Sequence, residues 1–331
     1  PALRLFWGLL RVLRLFLAAA CLAAVPPQGA AAQKPGVSDR PTLVVFVTID
    51  QMRADYYPRF RSQLTSGLKR LFEGGAYFRN GFQDHANTET APGHSTVMSG
   101  RFPVHTGITA NAQGVNTSSA PLIGGATESG ASPFRFQGTT LVDWMRAVDP
   151  ATRFLSVSRK DRGAILPIGT AKGDVYWWGG SAGIFTTSTY YADTLPLWVQ
   201  RFNAQKGYAA YAGKTWDLLL PAAAYEEPDA VWEESGGSDF VFPHPFPAEP
   251  AAVSSIFANY PAMDSLTLAF ALRGLREKQL GADARRTDLL AVSLSTTDAV
   301  GHKYGPDSRE IHDQILRLDR YLGAFLDSLF T

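Results

Sequence analysis

Two short runs restrict the fold of this chain more than anything else in it. Thr42-Leu43-Val44-Val45-Phe46-Val47-Thr48-Ile49-Asp50 and Asp288-Leu289-Leu290-Ala291-Val292-Ser293-Leu294-Ser295 are almost continuously apolar and, in the first case, rich in β-branched residues. Runs without polar alternation read as strands covered on both faces, the situation of a parallel strand in an α/β sheet. Arg153-Phe154-Leu155-Ser156-Val157-Ser158 is a third strand candidate. Segments of helical character separate them. One runs from about Gln63 to Phe72 and is closed by Gly74-Gly75. A second is capped by Thr139 or Thr140, continues to Val148 and is ended by Pro150. A third, capped by Asp264, carries Leu266, Phe270 and Leu275 and reaches Leu280. The last, from Asp307, sets Ile311, Ile315, Leu318, Leu322, Leu326 and Leu329 on one face. Strands alternating with helices specify an α/β domain with a mainly parallel sheet sandwiched by helices. Such sheets bind ligands beyond the C-terminal ends of their strands.

From Gly169 to about Tyr260 the pattern breaks. Trp177, Trp178, Tyr190, Tyr191, Trp198, Trp216 and Trp232 lie among glycines, prolines and short polar runs without a sustained period. This stretch is read as an aromatic-rich cap inserted into a domain spanning 42–331, its rings serving packing.

The N-terminus has a different character. Arg4, Arg11 and Arg14 accompany the apolar run Leu15–Val25, and Ala30-Ala31-Ala32-Gln33 follows. A basic region, a short apolar run and small residues at a cut site describe a secretory signal peptide over 1–32. The run is too short for a typical membrane span. Leucine stands one place too early for a good lipid-attachment motif at Cys21. Cleavage near Ala32 removes Cys21, the chain's one cysteine, so the mature protein is expected to have no disulfides and to be periplasmic or secreted in a bacterium. The whole chain has a formal charge of +1, and without those three arginines the remainder is near −2. No basic face for nucleic acid follows.

Chemistry gathers at the strand ends. Asp50 closes the first strand. Lys160 and Arg162, in Arg159-Lys160-Asp161-Arg162-Gly163, follow the second. Asp298 and His302 follow the third. After the first strand also comes Asn87-Thr88-Glu89-Thr90-Ala91-Pro92-Gly93-His94-Ser95-Thr96-Val97-Met98-Ser99-Gly100. Pro92 suits a first helical turn and Gly100 a stop, so Thr90 stands at a helix N-terminus, where free N–H groups favour an anion. A threonine there is either an ordinary N-cap or a nucleophile whose alkoxide needs a metal nearby. Asp298 and His302, four residues apart, suit two ligands on one ion if the segment turns tightly; carboxylate with imidazole favours zinc, an oxygen-only set magnesium or calcium. Asp50 is a candidate ligand for a second ion. Lys160 and Arg162 supply positive charge for a dianionic phosphoryl group. His94 and His85 are read as histidines bonded within their own segment, and His105, His244 and His312 have no partners visible in sequence.

Val47-Thr48-Ile49-Asp50-Gln51-Met52-Arg53, Thr88-Glu89-Thr90-Ala91-Pro92-Gly93-His94-Ser95 and Thr297-Asp298-Ala299-Val300-Gly301-His302 resemble the alkaline phosphatase superfamily. Within it they resemble the type I phosphodiesterase/nucleotide pyrophosphatase branch. Ser158-Arg159-Lys160-Asp161-Arg162-Gly163-Ala164-Ile165 and Gly183-Ile184-Phe185-Thr186-Thr187-Ser188-Thr189-Tyr190-Tyr191 bring the resemblance nearest to bacterial periplasmic alkaline phosphatases with a threonine nucleophile. It implies an alkaline phosphatase-like fold and an enzyme with two zinc ions (Zn2+) that passes through a covalent phosphothreonine. Thr90 is then the nucleophile, bound as an alkoxide to the zinc held by Asp50, while Asp298 and His302 hold the other zinc. Asn111 and the backbone N–H just after Thr90 are expected to contact phosphoryl oxygens. Lys160 and Arg162 mark a preference for small-molecule phosphate monoesters. A phosphodiesterase or nucleotide pyrophosphatase is the near alternative, and a non-catalytic binder of phosphorylated ligands the alternative from another class. A sulfatase is disfavoured, because its Cys-or-Ser-x-Pro-x-Arg pattern is missing.

The family's further metal ligands, an Asp-His pair and a distant His, fall beyond the last helix, and both ends of the chain read as truncated. Two protein ligands per zinc besides Thr90 are too few for a stable site. The 331-residue chain alone is therefore expected to bind zinc poorly and to be nearly inactive, in contrast to the intact gene product. A phosphatase assay with added zinc checks this, and full activity would defeat it.

Overall fold

The computed structural model describes residues 40–231 and 237–329. The signal peptide read over 1–32, with Cys21, and also Trp232, lie outside the described residues. In chain order the strands are β1 (Leu43–Ile49), β2 (Phe154–Ser158), β3 (Asp174–Gly179), β4 (Ile184–Thr186), β5 (Thr215–Trp216), β6 (His244–Pro245) and β7 (Asp288–Leu294). The helices are α1 (Tyr56–Phe60), α2 (Gly67–Gly74), α3 (Thr90–Ser99), α4 (Pro103–Thr106), α5 (Leu141–Val148), α6 (Asp161–Ile165), α7 (Leu197–Ala204), α8 (Pro250–Ile256), α9 (Ala262–Glu277), α10 (Thr296–Tyr304) and α11 (Arg309–Leu329).

The central sheet has the order β1-β7-β2-β3-β4, parallel except for β4. β7 lies inside it, with Val292 in register with Val47 on one side and Val157 on the other. Alternate residues serve opposite faces. Leu290, Val292 and Leu294 join Leu155, Val157 and Trp178 under α9 and α11. Leu289 and Ala291 join Phe154, Val175 and Trp177 under α3, α5 and α6. Both faces are covered, which is why the sequence of β7 lacks polar alternation. Each buried aliphatic side chain of this kind contributes about 1.5–3 kcal/mol.

Several elements differ from the sequence reading. β1 has the apolar sequence of an interior strand but is only partly buried, because it is the outermost strand on its side of the described sheet. α2 begins at Gly67 rather than near Gln63. The carboxylate of Asp319 on α11 accepts from the backbone N–H groups of Thr65, Ser66 and Lys69 at 2.8–3.2 Å, a cap supplied by a distant helix. Asp264 does not cap α9: it lies inside the first turn and turns its carboxylate to α10. Residues 174–186, read as part of the insertion, add β3 and β4 to the central sheet. The remaining aromatic stretch carries the two-stranded β5–β6 sheet and packs rings such as Trp216, Phe242 and Tyr260 against one another.

One buried side chain of α11 gathers several bonds from that aromatic stretch. Asp313 accepts hydrogen bonds from Trp216 Nε1 (2.6 Å), Leu219 N (2.6 Å), Tyr225 OH (2.7 Å) and Arg317 Nε (2.5 Å). Asp313→Ala strands these donors and is expected to cost about 3–5 kcal/mol, the usual loss for removing one partner from a buried charged network. Urea unfolding followed by tryptophan fluorescence measures it; a loss below 1 kcal/mol would contradict this role for Asp313.

Candidate active site

The C-terminal ends of three neighbouring strands deliver the polar groups. Asp50 follows β1, and its N–H continues the ladder to Leu294 O at 2.9 Å. Gln51, next in the chain, has a φ of +59°, the left-handed region that a non-glycine residue enters at a cost. Asp50 is therefore held at the turn itself. Thr90 is the first residue of α3, after Glu89 as N-cap, and its side chain makes no capping bond. Its hydroxyl instead donates to Asp50 Oδ2 at 3.1 Å. Thr90 is thus the first helical residue rather than the N-cap, and its hydroxyl faces the strand ends.

Lys160 leaves β2 just before α6. Its ammonium donates to Asp50 Oδ2 (2.6 Å), Asp298 Oδ2 (2.5 Å) and Thr90 Oγ1 (3.0 Å), which uses all three donors. All three side chains are largely buried. Close approach of α6 to the strand ends depends on Gly163: a Cβ there would lie 2.6 Å from Ser158 Oγ and 3.0 Å from Ser293 Oγ. Burial pushes the Asp50 carboxyl up, yet the Lys160 charge, with hydrogen bonds from Lys160 and Thr90, holds it below the usual carboxylate range.

Asp298 and His302 lie one turn apart on α10, as their spacing requires, with His302 Nε2 3.3 Å from Asp298 Oδ1. His302 is the exposed member, at 73%. Asn111 opens a single 3-10 turn and accepts from Ala91 N–H at 2.9 Å, beside Thr90. Arg162 stands apart from the cluster around Lys160. It bonds to its neighbour Asp161, and its Nε is buried without a hydrogen-bond partner among the described residues.

His94 is buried on α3. Its Nδ1 faces Thr90 O and its Nε2 faces Ser293 Oγ, each at 2.8 Å. A carbonyl only accepts, so Nδ1 carries the proton and Nε2 receives the Ser293 hydroxyl. Burial lowers its pKa and keeps it neutral. Both nitrogens are engaged, one within its own segment and the other across to Ser293 on β7. Sequence reading missed Arg159, which donates from Nε to Ser295 O at 3.0 Å and sets its guanidinium 3.8 Å from Asp298. Nothing in a three-cation turn distinguishes the cations that fold inward. Asp50, Thr90, His94, Asn111, Asp298 and His302 line a cleft of about 830 Å³.

The donor set suits a cation. Two carboxylates and a hydroxyl converge on one ammonium nitrogen, and an imidazole stands beside Asp298. The described residues provide these donors as two pairs, Asp50 with Thr90 and Asp298 with His302. Among the described residues no group of three or more His, Cys, Asp or Glu side chains is gathered to hold a metal. The fit is that of part of a metal cage.

A model of the type I phosphodiesterase / nucleotide pyrophosphatase family matches residues 44–330. The alkaline phosphatase PhoV of Synechococcus elongatus is 38% identical over 308 residues, 88% of this chain and 56% of that protein. The alkaline phosphatase PhoK of a Sphingomonas species is 36% identical over 301 residues, 87% of this chain and 52% of that protein. The crystal structure of wild-type alkaline phosphatase PafA, a protein known among the sequence relatives from Elizabethkingia meningoseptica, superposes with a TM-score of 0.79 and 33% identity. That match covers 89% of this chain and 60% of the other. The chain thus spans little more than half the length of the curated relatives it matches.

Beneath the site, Asp264 braces the helix that carries Asp298 and His302. Its Oδ1 accepts from Thr296 N (3.2 Å) and Thr296 Oγ1 (2.7 Å), and its Oδ2 from Gln314 Nε2 (2.9 Å). Burial pushes this carboxyl up to about 6 against those hydrogen bonds, from 3.8 for a free aspartate. A raised carboxylate pKa contributes stability that is complete below the unfolded pKa and is lost as pH rises through the folded one. The intact side chain should therefore lose stability relative to Asp264→Asn between pH 4 and pH 7. Thermal melts of both proteins across that range check it, and a pH-independent difference would contradict it.

Proposed function

Because the chain belongs to the type I phosphodiesterase / nucleotide pyrophosphatase family, we propose that its site hydrolyses phosphate monoesters through a phosphothreonine at Thr90. The observation that carries this reading is the placement of one hydroxyl. Thr90 Oγ1 lies at a helix N-terminus between a carboxylate it donates to and an ammonium that donates to it. Its proton points at Asp50, leaving the oxygen to meet an electrophile delivered from the cleft.

In the first step Thr90 Oγ1 forms a bond to phosphorus as the ester P–O bond breaks, its electron pair leaving with the alcohol oxygen. In the second, water attacks phosphorus, the Thr90 oxygen departs and inorganic phosphate is released. Zinc ions held by Asp50 with Thr90, and by Asp298 with His302, would supply the positive charge that favours the ionised hydroxyl and the departing oxygen. Lys160, already 3.0 Å from the attacking oxygen, is placed to neutralise a phosphoryl oxygen. The free Nε of Arg162 and the N-terminus of α3 are further donors, and Asn111 shares the Ala91 N–H that a phosphoryl oxygen would take. Small phosphate esters are the proposed substrates, and a periplasmic or secreted location is proposed on the signal peptide read over 1–32 of the sequence. Among the described residues no helix is long and apolar enough to cross a membrane.

A monoester carries one more charged oxygen than a diester, so Lys160 should matter more for the monoester. In the full-length gene product, Lys160→Ala is expected to lower kcat/KM on a monoester about tenfold more than on a diester, the worth of one charge-assisted hydrogen bond. Equal losses, or faster hydrolysis of the diester by the unmodified protein, would turn the reading toward a phosphodiesterase.

A further inference from the structure

Asn111 has little of its own to hold it in place. It begins a single 3-10 turn, Asn111–Gln113, a short element with weak internal hydrogen bonding. Its side-chain oxygen nevertheless meets the Ala91 N–H at 2.9 Å, next to the proposed nucleophile. Two other bonds join the same pair of turns. Asn87 Nδ2 donates to Thr109 O at 2.9 Å, and the backbone N–H of Asn111 donates to Glu89 Oε2 at 2.5 Å. Glu89 N in turn donates to Asn87 Oδ1 at 3.3 Å. The 87–91 and 109–111 turns are thus stapled three times, and the charge-assisted bond to Glu89 is the shortest of the three.

A carboxylate beside a site for a doubly charged anion works against substrate binding by its field alone. Its presence one residue before Thr90 needs a different reason, and the bond to Asn111 supplies one. We propose that Glu89 is a positioning residue: it holds Asn111 by its main chain so that the Asn111 amide faces the phosphoryl group on Thr90. This rests on the reading above that Asn111 contacts a phosphoryl oxygen.

A double-mutant cycle in the full-length gene product tests the inference, using kcat and KM for a phosphate monoester. Glu89 is exposed at a helix end, so its variants are expected to fold. Glu89→Ala should lose about tenfold in kcat/KM, as one charge-assisted bond is removed. Glu89→Gln, which keeps an acceptor oxygen, should recover most of that loss. The pair Glu89→Ala with Asn111→Ala should be no slower than Asn111→Ala alone, because Glu89 acts through Asn111. Fully additive losses, no recovery by glutamine, or Glu89→Ala within twofold of the unmodified protein would each overturn the proposal. If Asn111→Ala itself hydrolyses the monoester at the unmodified rate, the placement of Asn111 at the phosphoryl group fails and takes the proposal with it, an outcome distinct from the others.

Discussion

One ammonium group holds the site together. Lys160 Nζ is within 2.6 Å of two carboxylates that arrive from different strands, and within 3.0 Å of the hydroxyl of Thr90. Two buried carboxylates this close repel one another and lose their hydration, so they are tolerated only around a cation. The backbone is built to permit that meeting. Gln51 bends at positive φ directly after Asp50, and Gly163 lets α6 settle on the strand ends so that Lys160 reaches across. Removing Lys160 would leave two carboxylates buried beside one another without the cation they share.

The same device recurs through the fold with other aspartates. Asp319 on α11 supplies the missing acceptor at the start of α2, Asp264 on α9 does so for α10, and Asp313 gathers three donors from the aromatic stretch and one from Arg317 on its own helix. Each satisfies N–H groups that a helix end or loop cannot satisfy locally. The outcome is that α10, which carries Asp298 and His302, is fixed from below by Asp264 and from the side by Arg159. Both α9 and α11 pack on the sheet face opposite α3, so the two halves of the site are positioned by separate cores joined through β7.

How far this could be read in advance depended on the range of the signal. β1, β2, β7 and the 3.6-residue stripe of α11 were legible because periodicity is local. So was α5, whose Thr140 and Asp143 form a reciprocal cap three residues apart. β3 was hidden because Asp174–Gly179 owes its bulk to Tyr176, Trp177 and Trp178, which in an aromatic-rich neighbourhood do not separate a sheet strand from a packed loop. The start of α2 and the use of Asp264 were missed for one reason: their partners lie 32 to 254 residues away on other helices, and no local pattern encodes such a cap.

By itself the sequence determined the fold class, the strands whose ends would carry the chemistry, and the residue types collected there. It could do so because both a buried parallel strand and a short ligand spacing are properties of neighbouring residues. Only the tertiary structure decided which of these residues meet. It brought Lys160 to Asp50, Asp298 and Thr90, kept Arg162 on its own turn, closed both nitrogens of His94 with Thr90 and Ser293, and turned Arg159 inward. Those choices follow from strand order, because β7 comes last in the chain yet lies between β1 and β2, and it alone places the third charge beside the first two.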